Sequence, residues 1–281
     1  MFIAMSRAEI WLQDTLDQSL CIEDLANHLG YSASQVRRQF RQCFHLSPSA
    51  YREQRRLERA AVLLSLTSHH IARIALRCGY VNHSSFSRAF QRRYQLTPRH
   101  YRQALSGMRH LTAHRHQFIT SIEKSRPRQA VFMRVYEAPD TISGLGNKKH
   151  HASHLSCFEA QLGRATPTVA LPDLLADTVS ALDTSQHHSK ARTDVGLYLE
   201  PTATMENLAL PLAYRRVDSP AQHYASSRFE QFEQLSDVLA STLCRVTQQE
   251  EAFQISGEPP RVLWHPSHLE LRVPLEYCQG L

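Results

Sequence analysis

A chain of 281 residues is long enough for about two domains with buried cores, and no stretch approaches the ~20 apolar residues of a spanning helix. The net charge of +6 is unevenly placed: residues 1–104 hold 15 Arg, no Lys and 7 acids, a surplus of +8, whereas residues 105–281 hold 17 basic and 19 acidic residues. A basic front module suits phosphate binding, an Arg-rich solvated helix being the plain alternative. The six Cys form no CxxC pair, and Arg7 and Glu9 interrupt the start of the chain, so reduced thiols rather than a disulfide framework and a cytoplasmic location are expected.

Ala8 to Leu16 predicts an amphipathic helix with Ile10, Trp11 and Leu12 inward. Ile22 to Leu29 carries Ile22, Leu25, Ala26 and Leu29 at helical spacing. Gly30 then suits a left-handed turn, and Ser32 with Gln35 forms a capping-box pattern. Cys21 stands where a Ser or Thr would cap, so that helix start is expected to be weakly held. Val36, Phe40 and Phe44 recur every four residues and face inward, leaving Ser34, Arg37, Arg38 and Arg41 outside. Pro48 opens a long helix to about Leu66, with Leu57, Ala60, Ala61 and Leu64 apolar and Arg52, Arg55, Arg56 and Arg59 lining the other side.

The same pattern then returns. Ile71, Ile74, Ala75 and Cys78 repeat the supporting stripe, Gly79 the turn and Asn82 the cap. Phe86, Phe90 and Tyr94 face inward, and His83, Ser84, Ser87, Arg88 and Gln91 are left outside. Shifting by 50 superposes Ser32 on Asn82, Arg38 on Arg88, Phe40 on Phe90, Pro48 on Pro98, Tyr51 on Tyr101 and Arg52 on Arg102. The Gly-Tyr pairs fall one step out of register, so the second turn carries one extra residue. Each copy has the parts of a helix-turn-helix.

Residues 7–104, and above all IARIALRCGY followed by SSFSRAFQRRYQLTPRHYR, resemble the DNA-binding domain of the AraC/XylS family of transcription regulators. The resemblance implies a rod-like helix joining two motifs. It also implies Ser34, Arg37, Arg38, Arg41, His83, Ser84, Ser87 and Arg88 as DNA-binding residues, and RNA polymerase as a protein partner.

Leu105 to Arg128 is polar and carries a surplus of +4; it reads as a linker that docks in part. Strand-like runs follow at Val131–Tyr136, Thr141–Gly146, Val195–Leu199, Asn207–Val217, Gln222–Phe229, Arg261–Trp264 and Leu269–Leu275. Helical patterns lie at Leu155–Leu162, Leu171–Leu182 and Phe232–Thr247. Strand, helix and strand pair occur twice, which predicts an antiparallel α+β domain built from two related halves with a cleft between them. QHYASSRFEQFEQL and LELRVPLEY resemble the gyrase-inhibitor-like effector-binding domains, while YEAPDTISG departs from their Gly-Pro-Tyr pattern. The expected division is 1–104 DNA-binding, 105–128 linker and 129–281 effector-binding.

Alternation places Glu270 and Arg272 of LELRVPL on one strand face, either solvent-facing or, by the resemblance, cleft-facing as an anchor for a cationic or amphipathic small molecule. Tyr198, Tyr224, Trp264 and Phe253 are aromatic candidates for the same cleft, core packing being the plain alternative for each. His150, His151, His154 and Cys157 have metal-ligand spacing but also the look of a polar loop. No GxSxG, HExxH or phosphate-binding Gly loop occurs, so no catalytic residue and no cofactor is expected. The leading expectation is a sequence-specific regulator, an activator with a ligand-sensing C-terminal domain. A gyrase-inhibitor-like binding or hydrolytic protein and a metal or redox sensor stay open beside it.

Overall fold

The structure, a computed structural model, describes residues 1–108, 118–136, 165–180, 192–199, 210, 212–249 and 252–278. It divides into two compact units, Met1–Ser106 and Gly107–Leu281. The Thr141–Gly146 strand, the Leu155–Leu162 helix and the His150, His151, His154 and Cys157 cluster expected from sequence lie outside the described residues.

The first unit is helical: α1 Phe2–Asp14, α2 Ile22–Leu29, α3 Ala33–Phe44, α4 Pro48–Leu66, α5 Ile71–Arg77, α6 His83–Tyr94 and α7 Pro98–Met108. Helix α1 begins six residues before the expected start, because Met5 and Ala8 continue the stripe that Leu12 ends. Ile10 and Trp11 are only half-buried. Met5, Ala8, Leu12, Leu25, Ala26, Val36, Phe40 and Tyr51 form the first core. The α2 start is better held than Cys21 alone suggested. The Asp24 carboxylate accepts from the Cys21 backbone N–H at 2.7 Å and from its thiol at 3.0 Å, satisfying an otherwise orphan donor.

Helix α4 buries Leu57, Ala60, Ala61 and Leu64 as expected and packs against α5 and α6. Its arginines do not form one solvated face. Arg55 is buried over the Tyr51 ring and paired with Glu58 at 2.6 Å. Arg56 donates to the Leu16 carbonyl at 2.7 Å and the Gln18 carbonyl at 2.9 Å, and Arg52 donates to the Leu20 carbonyl. These cations close the C-terminal end of α1 and the turn after it, where orphan carbonyls favour positive charge.

The second unit is one antiparallel sheet with helices. Its strands are β1 Thr120–Lys124, β2 Arg128–Tyr136, β3 Ala165–Ala170, β4 Arg192–Leu199, β5 Tyr214–Ser219, β6 His223–Phe229, β7 Phe253–Ile255, β8 Arg261–Trp264 and β9 Leu269–Tyr277. The spatial order is β1-β6-β9-β8-β3-β4-β2-β5, with β7 also on β9. Helix α8 spans Leu174–Ser180, and a short 3-10 turn at Phe232–Gln234 leads into α9, Leu235–Gln249. Strand β1 falls inside the stretch read as linker. It pairs with β6 from Thr120↔Ser227 to Lys124↔His223. Strand β3 escaped the sequence reading because Pro167 interrupts its alternation. Pro167 lies beyond the β8 pairing, which begins at Thr168, so its missing N–H costs no bond on that side.

One sheet face, with Ala225, Leu271, Val273 and Val262, is apolar and lies against α9, which buries Val238, Leu239 and Val246; a Ser227–Thr242 hydroxyl bond of 2.8 Å joins the two layers. The opposite face carries Glu270, Arg272, Arg261, Tyr198 and Tyr224, by the cross-strand register. Strands β5 and β6 are six positions apart in the sheet, roughly 29 Å if it were flat. Only residues 220–222 connect them, a span of at most about 14 Å, so the sheet curls and this second face is concave.

Candidate functional site

The two helix-turn-helix motifs repeat bond by bond. Gly30 and Gly79 adopt φ of 73° and 77°. Tyr31 and Tyr80 then donate their N–H back to the Ala26 and Ala75 carbonyls, 3.0 Å in both cases. The registers differ by 49 up to the tyrosines and by 50 after them, which makes Val81 the extra residue; it is 85% exposed. Ser32 caps α3 through the Gln35 N–H, and Asn82 caps α6 through the Ser85 N–H at 2.7 Å. Both helices end on a left-handed residue, His45 and Gln95, at φ 59° and 58°. Phe40, Phe44 and Tyr51 make one aromatic cluster, and Phe90, Tyr94 and Tyr101 make its counterpart. Arg52 and Arg102 each reach a carbonyl before the preceding motif's supporting helix, Leu20 and His69. Burial of both guanidiniums pulls their pKa below the ordinary arginine value.

With Val36, Phe40, Phe86, Ala89 and Phe90 fixed inward, the opposite faces of α3 and α6 are set by helix geometry. Ser34, Arg37, Arg38 and Arg41 are all exposed on α3. Arg37 is 3.4 Å from Glu23, a solvated pair, while Arg38 makes no ion pair among the described residues. On α6, His83, Ser84 and Arg88 are exposed and Ser87 is half-buried; Arg88 likewise has no ion pair among the described residues. Both faces belong to the same unit and are joined through α4, whose 19 residues span about 28 Å.

Residues 25–104 match the helix-turn-helix domain family model. The chain is 41% identical over 95 residues to the regulatory protein SoxS of Escherichia coli K12, covering 34% of this chain and 89% of SoxS. The chain belongs to the AraC family of helix-turn-helix transcription regulators. The regulator is also 35% identical over 121 residues to the transcriptional regulator Rob of Salmonella typhimurium, covering 40% of this chain and 42% of Rob. It is 31% identical to an AraC-type transcriptional regulator structure from Chromobacterium violaceum, which aligns to 37% of this chain and 92% of that one at a TM-score of 0.35. This AraC-family protein is a sequence-specific DNA-binding transcription regulator with a C-terminal domain. No described helix is long and apolar enough to cross a membrane.

The regulator's concave sheet face carries the residues singled out for ligand binding, apart from Trp264 and Phe253. Tyr198, Tyr224 and Glu270 lie on it. Trp264 does not. It pairs with Leu269 on the helix-covered face and stacks on Phe232 of the 3-10 turn at 6.0 Å. Phe253 packs instead with His223 and Tyr277 at the sheet's end.

Glu270 is buried, so the solvent-facing alternative fails, but its oxygens are already taken. Ser226 donates at 2.6 Å, Arg272 through Nε at 2.7 Å and through Nη2 at 3.1 Å, and His265 Nε2 lies at 2.8 Å. Burial would raise this carboxyl's pKa, yet the Arg272 and Ser226 hydrogen bonds outweigh it and hold it at about 2. Sequence reasoning placed Arg272 beside Glu270 without recognising it as the counter-ion. Asp194 is similarly held by Arg134, through two bonds of 2.8 Å, and by Arg215 at 2.8 Å; Asp173 is held by Arg192. Arg261 is different. Its guanidinium gathers three hydroxyls, those of Tyr198, Ser219 at 2.8 Å and Tyr224 at 3.2 Å, and no carboxylate among the described residues. Its role was invisible in sequence because the curl that brings β4, β5 and β6 to one atom is not a local property.

Proposed function

We propose that this regulator reads an asymmetric DNA site of about 20 base pairs as a monomer, with α3 and α6 in successive major grooves about 34 Å apart. The observation that carries this reading is the pair of matching motifs on one connecting helix, with caps, turn glycines and aromatic clusters repeated residue for residue. In this reading Arg38 and Arg88 contact base edges, and Ser34, Arg37, Arg41, His83, Ser84 and Ser87 surround them as base or phosphate contacts. The regulator activates transcription through RNA polymerase. Footprinting of the full chain on selected DNA tests the geometry: protection of two half-turns on an unsymmetrical site supports it, and a strict palindrome occupied only by dimers refutes it.

For residues 129–281 we propose a small-molecule-sensing domain built from two related halves, the segment before it acting as linker up to β1. The strand order supports the two-halves reading. Outward from the central β8–β3 neighbours, β8, β9 and β6 mirror β3, β4 and β2, and in each set the outermost strand comes first in the chain. The concave face with Tyr198, Tyr224 and Glu270 is the binding surface in this reading. A ligand that changes promoter affinity of the full chain, and leaves residues 1–108 alone unaffected, is the expected result.

A further inference from the structure

On the concave side of the sheet lies a cavity of about 350 Å³, lined by Lys124, Arg126, Arg128, Arg272 and Tyr224, with Glu123 as the single carboxylate. Its size falls within the ordinary range of small-ligand sites, roughly 300–1,000 Å³. Lys124, Arg126 and Arg128 come from the basic 105–128 segment, whereas residues 105–281 as a whole carry 17 basic and 19 acidic residues. With Arg272 set against Glu270, the three cations Lys124, Arg126 and Arg128 still face the one carboxylate of Glu123, a local surplus. Arg272 is balanced by Glu270, but Arg128 has no ion pair among the described residues, and its Nε is buried without a hydrogen-bond partner. Arg261 extends the same field. It sits directly across from Arg272, bonds Tyr224 of the cavity wall, and leaves its own Nε buried and without a partner. Like charges facing across neighbouring strands repel, and a buried guanidinium Nε–H without an acceptor costs free energy. An anion seated among them removes both costs; a cation adds to them.

We infer that this cavity is a binding site for a small organic anion, a carboxylate or phosphate ester with an apolar or aromatic body, held by Arg128 and Arg272 with Lys124 at the rim and Tyr224 against the body. The inference rests on the ligand-sensing reading above and reverses the sign expected from Glu270. That carboxylate is spent on Arg272 and fixes its guanidinium at the cavity wall, so it offers no anchor to a cation.

The test uses the full chain and three ring-matched probes: phenyl phosphate, benzyl alcohol and benzyltrimethylammonium, titrated by calorimetry at low salt. Phenyl phosphate is expected to bind at least tenfold more tightly than the other two. Arg128→Gln and, independently, Lys124→Gln are expected to weaken it about tenfold or more, whereas Arg228→Gln, an exposed charge on the same face outside the cavity, leaves it within twofold. Equal loss in all three variants means diffuse attraction and overturns the site. Binding of the cation alone overturns the anion assignment and leaves ligand sensing standing. Binding of none of the probes overturns the anion site; if DNA titrations on the same samples still succeed, the DNA-binding reading survives separately.

Discussion

Gly79 lies directly against the carbonyl oxygen of Leu16, with the Arg56 guanidinium on the same side, so a Cβ at residue 79 would collide with backbone. Gly30, its counterpart in the first motif, faces open space. Both have positive φ, so Gly→Ala at either carries a backbone penalty of roughly 1 kcal/mol. Gly79→Ala adds the clash and is expected to cost about 2 kcal/mol more than Gly30→Ala in urea unfolding. Equal losses would mean that the α1–α2 turn yields freely.

Arg38→Ala is expected to lower affinity for the selected site by about 1–3 kcal/mol and to relax preference at one base position. Arg88→Ala follows the same direction with a smaller loss of specificity, because His83, Ser84 and Ser87 around it are shorter or weaker readers than Arg. Binding measured on a library of single-base variants distinguishes this from a phosphate contact, which would weaken all sequences alike and reduce the salt slope by about 1.

Glu270 has a folded pKa of about 2 against an ordinary value of 4.5. A depressed carboxyl stabilises the fold above its unfolded pKa and loses that contribution as pH falls toward its folded one. Wild-type protein is therefore expected to lose on the order of 2–3 kcal/mol from this group between about pH 5 and pH 2. Glu270→Gln removes that part of the slope. Urea unfolding of both proteins across this range checks it, since every other group is common to the two proteins and cancels in the difference.

The Arg134–Asp194 pair is buried, with side chains 2% and 4% exposed. Asp194→Ala leaves Arg134 and Arg215 around an empty position and is expected to destabilise the second unit by about 3–5 kcal/mol. Removing the exposed Arg92–Glu53 pair by Glu53→Ala is expected to cost no more than about 1 kcal/mol. Comparable effects at the two places would contradict the burial argument.

The first unit was legible because its determinants are local. Cap, turn glycine and four-residue aromatic spacing are each read within a dozen residues, and the internal repeat supplied a second copy of every signal. What escaped there was the use of the arginines lining the other side of α4: Arg52 and Arg56 hold carbonyls of the α1–α2 turn, and Arg55 pairs with Glu58. In the second unit β8 and β9 were legible from alternation, but Trp264 was assigned to the wrong face because the strand register decides the side, not the residue type. Strands β1, β3 and β7 were missed: they are short, and pairing with β6, β4 and β9 rather than their own pattern holds them extended. Arg128 and Arg261 gain meaning only from the curl of the sheet.

The duplicated scaffold has a practical corollary. Because α3 and α6 present different outer side chains on matched inner residues, Phe40 and Phe90 above all, each outer surface behaves as an exchangeable cassette. Ser34 and Arg38 already match Ser84 and Arg88, so writing Ala33, Arg37 and Arg41 onto positions 83, 87 and 91 completes the exchange and touches no fully buried side chain. Such a chimera would carry one reading surface twice on a single rod and favour tandem copies of one half-site over the natural mixed one.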